Sequence, residues 1–211
     1  MKITFILPQP GLSGGIRVIA IYADRLKRRG HDVLLVHPPN AQPSMKERAR
    51  SLLRGQGWPR VPYLYPSHLD GLDVPRKILD RSRPVTAQDV PDADVVVATW
   101  WETAEWASAL PPCKGAKAYF IQHYEVHDSQ PIERVKKTWT LPFHKIVVAR
   151  WLSDIARGMH GDADVSLVPN SVDLDAFHAP ERGKQPVPTV GFMHAQVPWK
   201  GADLACEGVR I

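Results

Sequence analysis

The chain opens Met1-Lys2-Ile3-Thr4-Phe5-Ile6-Leu7-Pro8-Gln9-Pro10-Gly11-Leu12-Ser13-Gly14-Gly15, and after residues 16–30 it returns to Asp32-Val33-Leu34-Leu35-Val36-His37. Residues 2–7 and 32–36 are short continuous apolar runs of the length of a buried strand. Between them Ile16, Ile19, Ala20, Ala23 and Leu26 recur at three- and four-residue steps, the spacing of one helix face, and Gly30 follows a basic last turn as a stop. Strand, glycine-rich turn, helix and strand together form a β-α-β unit, whose connection is right-handed and whose strands are parallel.

The same alternation continues outward. Residues 94–99, 116–122, 145–148 and 165–168 read as strands, and residues 102–109, 132–139 and 151–159 as helices. The expected fold class is therefore α/β, a Rossmann-like parallel sheet with strand one central and helices on both faces. Residues 38–92 interrupt this pattern with many prolines. There the sequence suggests helices near 45–53 and 75–81 and a weak strand at 61–65. From Pro169 the pattern changes again. The expected organisation is an N-terminal domain over residues 1–172, a polar, proline-rich linker over 173–188, and the start of a second domain over 189–211, with a strand at 189–193 and a helix at 201–209.

The 211 residues are 44% hydrophobic and 23% charged, which excludes a disordered or fibrous chain. No apolar run approaches the roughly 18 residues that a membrane-spanning helix needs. The first residues have neither the apolar core nor the cleavage site of a signal peptide, so a cytoplasmic protein is expected. Its two cysteines, Cys113 and Cys206, lack metal or redox spacing and are expected as free thiols. A net charge of +5 favours anionic partners, and Arg25, Lys27, Arg28 and Arg29 complement the end of the first helix. A peripheral position at the inner face of a membrane belongs to the same expectation; nucleic acid does not.

The glycine-rich turn at residues 11–15 carries the clearest chemistry. A helix opening directly after a strand presents free amides and a positive dipole end at the sheet's carboxyl edge, where phosphates bind. The turn is not G-x-G-x-x-G, and strand two lacks the acidic residue of a dinucleotide site. Gly11-x-Ser13-x-Gly15 matches a hydrolase nucleophile motif, but such an elbow needs an oxyanion loop from an earlier strand and only ten residues precede this one. Asp92-x-Asp94 and Asp162-x-Asp164 lie immediately before strands, where turn chemistry explains them better than a metal.

At the end of the 116–122 strand stands His123-Tyr124-Glu125-Val126-His127-Asp128, on the edge that forms the ligand crevice of open α/β sheets. His123 suits donation to a sugar hydroxyl or to developing charge, with Glu125 orienting it; a structural turn histidine is the alternative. Trp100 and Trp101 end the preceding strand. Indole faces stack on sugar rings, but both side chains equally fit packing beneath a helix, Trp101 more so.

Taken together, these residues resemble glycosyltransferase family 4, the retaining GT-B enzymes often labelled group 1. The likeness rests on Gly14-Gly15, on His123, on Val168-Pro169-Asn170-Ser171-Val172-Asp173 through Phe177, and on Gly191-Phe192 followed by Trp199-Lys200-Gly201. Ser171 replaces the glycine of the family's "PNGVD" segment, and His194 aligns where a basic phosphate ligand is usual. The resemblance implies transfer of a sugar from a nucleoside diphosphate donor to a glycan or lipid-linked acceptor. In it Gly14, Gly15 and Lys200 would meet the donor phosphates and His123 the transferred sugar, while Trp100, Trp101, Tyr124 and Glu125 would shape the acceptor side. Neither cofactor nor metal is implied. The family's E-x7-E donor motif would fall beyond Ile211, so the chain alone is expected to be inactive. A non-catalytic glycan- or partner-binding module is the rival expectation.

Overall fold

The computed structural model describes residues 1–39, 45–55, 57, 66–162, 164–181, 183–187, 189–192 and 201–209. The chain divides into two compact units, Met1–Asn170 and Ser171–Ile211. In the first unit the elements run β1 (Lys2–Ile6), α1 (Gly14–Arg28), β2 (Asp32–His37), α2 (Met45–Leu53), β3 (Arg76–Ile78) and β4 (Val95–Ala98). They continue with α3 (Trp101–Ser108), β5 (Ala116–Ile121), α4 (Ile132–Trp139), β6 (His144–Val147), α5 (Arg150–His160) and β7 (Val165–Leu167).

The seven strands form one sheet in the order β3-β2-β1-β4-β5-β6-β7, and every pairing is parallel. The Rossmann-like parallel α/β architecture is thus present. β1 is internal, but β4 holds the middle position that the sequence suggested for strand one. From β1 the chain moves one way to β2, and from β4 it moves the other way through β5, β6 and β7. Because crossovers are right-handed, reversing direction puts the connecting helices on the opposite face.

The two cores show this division. Ile16, Ile19, Ala20 and Ala23 of α1 pack with Ile3, Phe5, Val33, Leu35, Val97 and Phe120 on one face. On the other, Ala104 and Ala107 of α3, Trp139 of α4, and Leu152 and Ala156 of α5 pack with Ile6, Val36, Val96, Tyr119, Ile121 and Val147. Fully buried side chains such as Ile19, Leu35 and Leu152 each contribute about 1.5–3 kcal/mol.

The amino-terminal edge of the sheet is closed by specific turns. Gly115 has φ +105°, and a Cβ there would stand 2.7 Å from the Asp94 carbonyl carbon. Asp94 Oδ2 accepts from the Lys2 amide at 2.7 Å, and Lys114 Nζ donates to Asp92 at 2.8 Å, so the first D-x-D pair serves its turn. The second does likewise. The fully buried Lys145 ammonium meets Asp162 and donates to the carbonyls of Leu141 (3.0 Å) and Phe143 (3.3 Å), while Asp164 Oδ1 lies 2.7 Å from His144 Nδ1.

Two expectations for secondary structure need correction. The segment at 75–81 contains β3 and is not a helix: Arg76, Lys77 and Ile78 pair with Leu35, Val36 and His37. Three exposed residues with two cations carry little strand signal of their own, and the free edge of β2 supplies the ladder. In the second unit, residues 189–192 form no strand. No described segment of that unit is a strand that could pair with them, and an isolated strand is not stable. The same unit contains α6 (Ala202–Gly208). The strand suggested at 61–65 lies outside the described residues, as does Met193. Among the described residues no helix is long and apolar enough to cross a membrane.

Candidate functional site

In an all-parallel sheet the loops after β1, β4, β5 and β6 open on the same carboxyl edge, and the crevice lies where the strand order reverses, between β1 and β4. The loop after β1 leads straight into α1. Ser13 caps that helix, its Oγ accepting from the Ile16 amide at 3.4 Å, which gives the serine of the apparent nucleophile motif a structural role. The insertion holds the loop from outside: the His68 amide donates to the Gly11 carbonyl at 3.2 Å, and His68 Nε2 lies 3.1 Å from the Leu12 carbonyl. Neither Gly14 nor Gly15 has a positive φ, and a Cβ on Gly14 would meet nothing within 4 Å. The backbone therefore does not require glycine at Gly14. What its absent side chain leaves is open space over the first turn of α1, where amides lack intrahelical acceptors.

After β4, Thr99 Oγ1 donates to the Ile6 carbonyl at 2.9 Å and so joins the two strands that flank the crevice. Thr103 Oγ1 accepts from the amides of Thr99 and Trp100, both at 2.9 Å, and fixes the entry into α3. Trp100 is half-buried, with its ring 5.1 Å from that of Trp101. Trp101 itself is 3% exposed, its indole N–H donates to Gln130 at 3.1 Å, and the Arg134 guanidinium lies 4.8 Å from its ring centre. Trp101 is thus buried with its donor engaged and Arg134 over its ring, so it offers no stacking surface to a ligand. Arg134 is held in turn by two bonds to Glu105. Burial pushes the neighbouring Glu102 carboxyl above its ordinary range, with Arg134 opposing the shift and Glu105 adding to it.

After β5, Gln122 Nε2 donates to the Gly15 carbonyl at 3.1 Å. His123 follows with 55% of its side chain exposed, its Nδ1 3.9 Å from Glu125 Oε1. The other oxygen of Glu125 lies 3.3 Å from His127 Nε2, and His127 Nδ1 lies 2.9 Å from Ser129 Oγ. One carboxylate therefore stands between two imidazoles, within hydrogen-bond distance of His127 and 3.9 Å from His123. Tyr124 turns the other way. Its ring meets Trp139 edge-on at 5.2 Å, and its hydroxyl lies 3.4 Å from His160 Nε2. It packs against the core on the α4–α5 side. His160 is stacked on Trp139, and burial holds its pKa below the ordinary value, with Lys145 and Lys136 acting in the same sense.

The fold thus brings Gly14, Gly15, Trp100, His123 and Glu125 to one edge, leaves Trp101 in the core, and directs Tyr124 inward. Lys200 lies outside the described residues, as do His194 and Trp199. Two residues escape a reading of the sequence by strands and helices. Gln122 belongs to the site through a bond to a residue 107 positions away. Trp151, in the first turn of α5, is 47% exposed and meets the His123 ring edge-on at 6.1 Å between centres. A signal for Trp151 is its place as an aromatic residue four positions past the end of β6, as Trp100 lies two past the end of β4.

No family model matches the sequence, and no curated protein does. Among solved structures, UGT2 of Phytolacca americana complexed with UDP-2fluoro-glucose and pterostilbene overlaps 82% of this chain and 54% of its own, with 12% identity and a TM-score of 0.47. The apo form of the same protein overlaps 80% and 51%, with 13% identity and a TM-score of 0.42. The chain spans about half the length of these structures.

Proposed function

We propose that the chain is the acceptor-side part of a retaining glycosyltransferase that moves a sugar from a nucleoside diphosphate to a glycan or lipid-linked acceptor. The observation that carries this reading is the meeting of Gly15 and the β5 end through Gln122. It sets the open first turn of α1 beside an exposed histidine on the crevice edge. A diphosphate at the Gly14–Gly15 amides would be met by hydrogen-bond donors and the helix dipole, without a metal. The imidazole of His123, oriented by Glu125, would donate toward the sugar at the reacting centre. Trp100 and Trp151 would present apolar ring faces to the acceptor. Lys200 would neutralise the leaving diphosphate, in keeping with the resemblance of its Lys200-Gly201 segment.

Transfer in a two-sided cleft requires both reactants to be held in line. The resemblance assigns most donor-binding residues to a second domain, so the 211 residues alone are expected to give no turnover. The test expresses the protein in full from its own gene, assays it with a panel of nucleoside diphosphate sugars, and reads the product's anomeric configuration by proton NMR. Retention by the full protein and silence from the isolated chain are expected. Inversion, or hydrolysis of an unrelated bond at the same edge, would overturn the reading.

A further inference from the structure

Helix α2 (Met45–Leu53) turns its apolar side outward. Met45, Ala49, Leu52 and Leu53 occupy positions i, i+4, i+7 and i+8, the stripe that an amphipathic helix normally buries. All four are exposed: Met45 is 70%, Leu52 48% and Leu53 89% accessible. The exposed cations of the segment are Lys46, Arg50 and Arg54. No described side chain of α2 is buried. A helix of nine residues is marginal in water and ordinarily depends on packing of its apolar face. Among the described residues, this one has the face without the packing.

From this geometry we infer that α2 is a docking element for an anionic lipid surface. Exposed apolar side chains flanked by cations, with low overall hydrophobicity, suit a helix lying in the interface plane. Its leucines enter the acyl boundary while the basic side chains meet the headgroups. The size of the face argues against a protein partner. At 1.5 Å per residue the helix is about 14 Å long, and a handful of apolar side chains falls far below the ~800 Å² per partner of a stable protein interface. A bilayer needs no such area, because each inserted side chain and each cation adds its own contribution. The inference rests on α2 alone and requires nothing of the sugar chemistry at the crevice.

The test is co-sedimentation of the whole chain with vesicles of phosphatidylcholine alone or of phosphatidylcholine mixed with phosphatidylglycerol, at low and high salt. Binding is expected to the mixed vesicles and to weaken as salt screens the headgroups. Arg50→Ala and Arg54→Ala should each weaken it about fivefold. Leu52→Ser combined with Leu53→Ser should weaken it on the order of tenfold or more. These side chains are exposed, so thermal melts should not move; if the leucine pair does unfold the protein, the arginine variants still decide. Absence of binding to mixed vesicles overturns the inference, as does binding indifferent to salt and to all the variants. Dimerisation without lipid that is lost in the leucine pair would assign the face to a second copy and likewise overturn it.

Discussion

The side-chain amide of Gln122 donates to the main-chain carbonyl of Gly15 across 3.1 Å and 107 residues of sequence. It couples the end of β5 to the first turn of α1. A Cβ on Gly15 would stand 3.4 Å from that same Gln122 nitrogen, so the glycine and the glutamine are matched in size as well as bonded.

Gly15→Val should push the amide away and break the bond. The expected loss is about 0.5–1.5 kcal/mol of stability in a denaturant melt and, under the proposed function, loss of nucleoside diphosphate binding. Gln122→Ala should cost a similar amount while leaving the helix start open, so binding should survive in part. Equal retention of binding in both variants would detach this contact from the site.

Gly115→Ala is expected to be among the most destabilising single-methyl additions in the chain. It places a carbon 2.7 Å from the Asp94 backbone at a φ of +105°, and backbone cannot move aside as a flexible side chain can. The cost is about 2–4 kcal/mol, read as a lower urea midpoint. The far edge of the sheet should be untouched, so ligand binding below the melting transition should persist.

Asp162 and Lys145 give the acid limb of the stability curve. Burial pushes the Asp162 carboxyl upward, but the Lys145 ammonium and the Asp164 amide outweigh it and hold the group below the ordinary carboxylate range. A depressed folded pKa means that the stabilisation is complete above the unfolded value of about 3.9 and is lost as pH falls through the folded value. Asp162→Asn leaves the buried ammonium with only carbonyl partners and should cost about 3 kcal/mol at neutral pH. Melts recorded down to strongly acidic pH should be flatter for the variant. Equal slopes would remove the pair from the acid transition.

Under the proposed sugar transfer, His123→Ala should lower the rate about 100- to 1,000-fold, as loss of a donor aimed at developing charge does. The side chain is 55% exposed, so stability should stay within about 0.5 kcal/mol. Trp151→Ala should act mainly on acceptor KM. A His123→Ala protein that melts early yet turns over normally would mean that the chemistry lies elsewhere.

Much of this architecture was legible because periodicity carries it. The β-α-β start is written in the apolar runs around Ile16, Ile19 and Ala23, and the edge that holds Gly14 and His123 follows from strands being parallel. β3 was not legible: Arg76-Lys77-Ile78 becomes a strand only because β2 presents an unpaired ladder beside it. Trp100 and Trp101 are adjacent in sequence and identical in type, and only the three-dimensional position of Gln130 and Arg134 puts one ring inside. The Gln122–Gly15 contact has no local pattern at all, since its two ends belong to different supersecondary units.

Every strand runs the same way, so the two rims of the sheet have separate tasks. Gly115, Asp94 and the Lys145–Asp162 pair, which lock the architecture, all sit on the amino rim; Gly14, Trp100, His123 and Trp151 sit on the opposite one. Heritable change can accumulate in the second group at little cost to the first. A library randomised at Trp100, His123, Glu125 and Trp151 should therefore yield mostly foldable proteins, and selection from it would explore new ligands on an unaltered chassis.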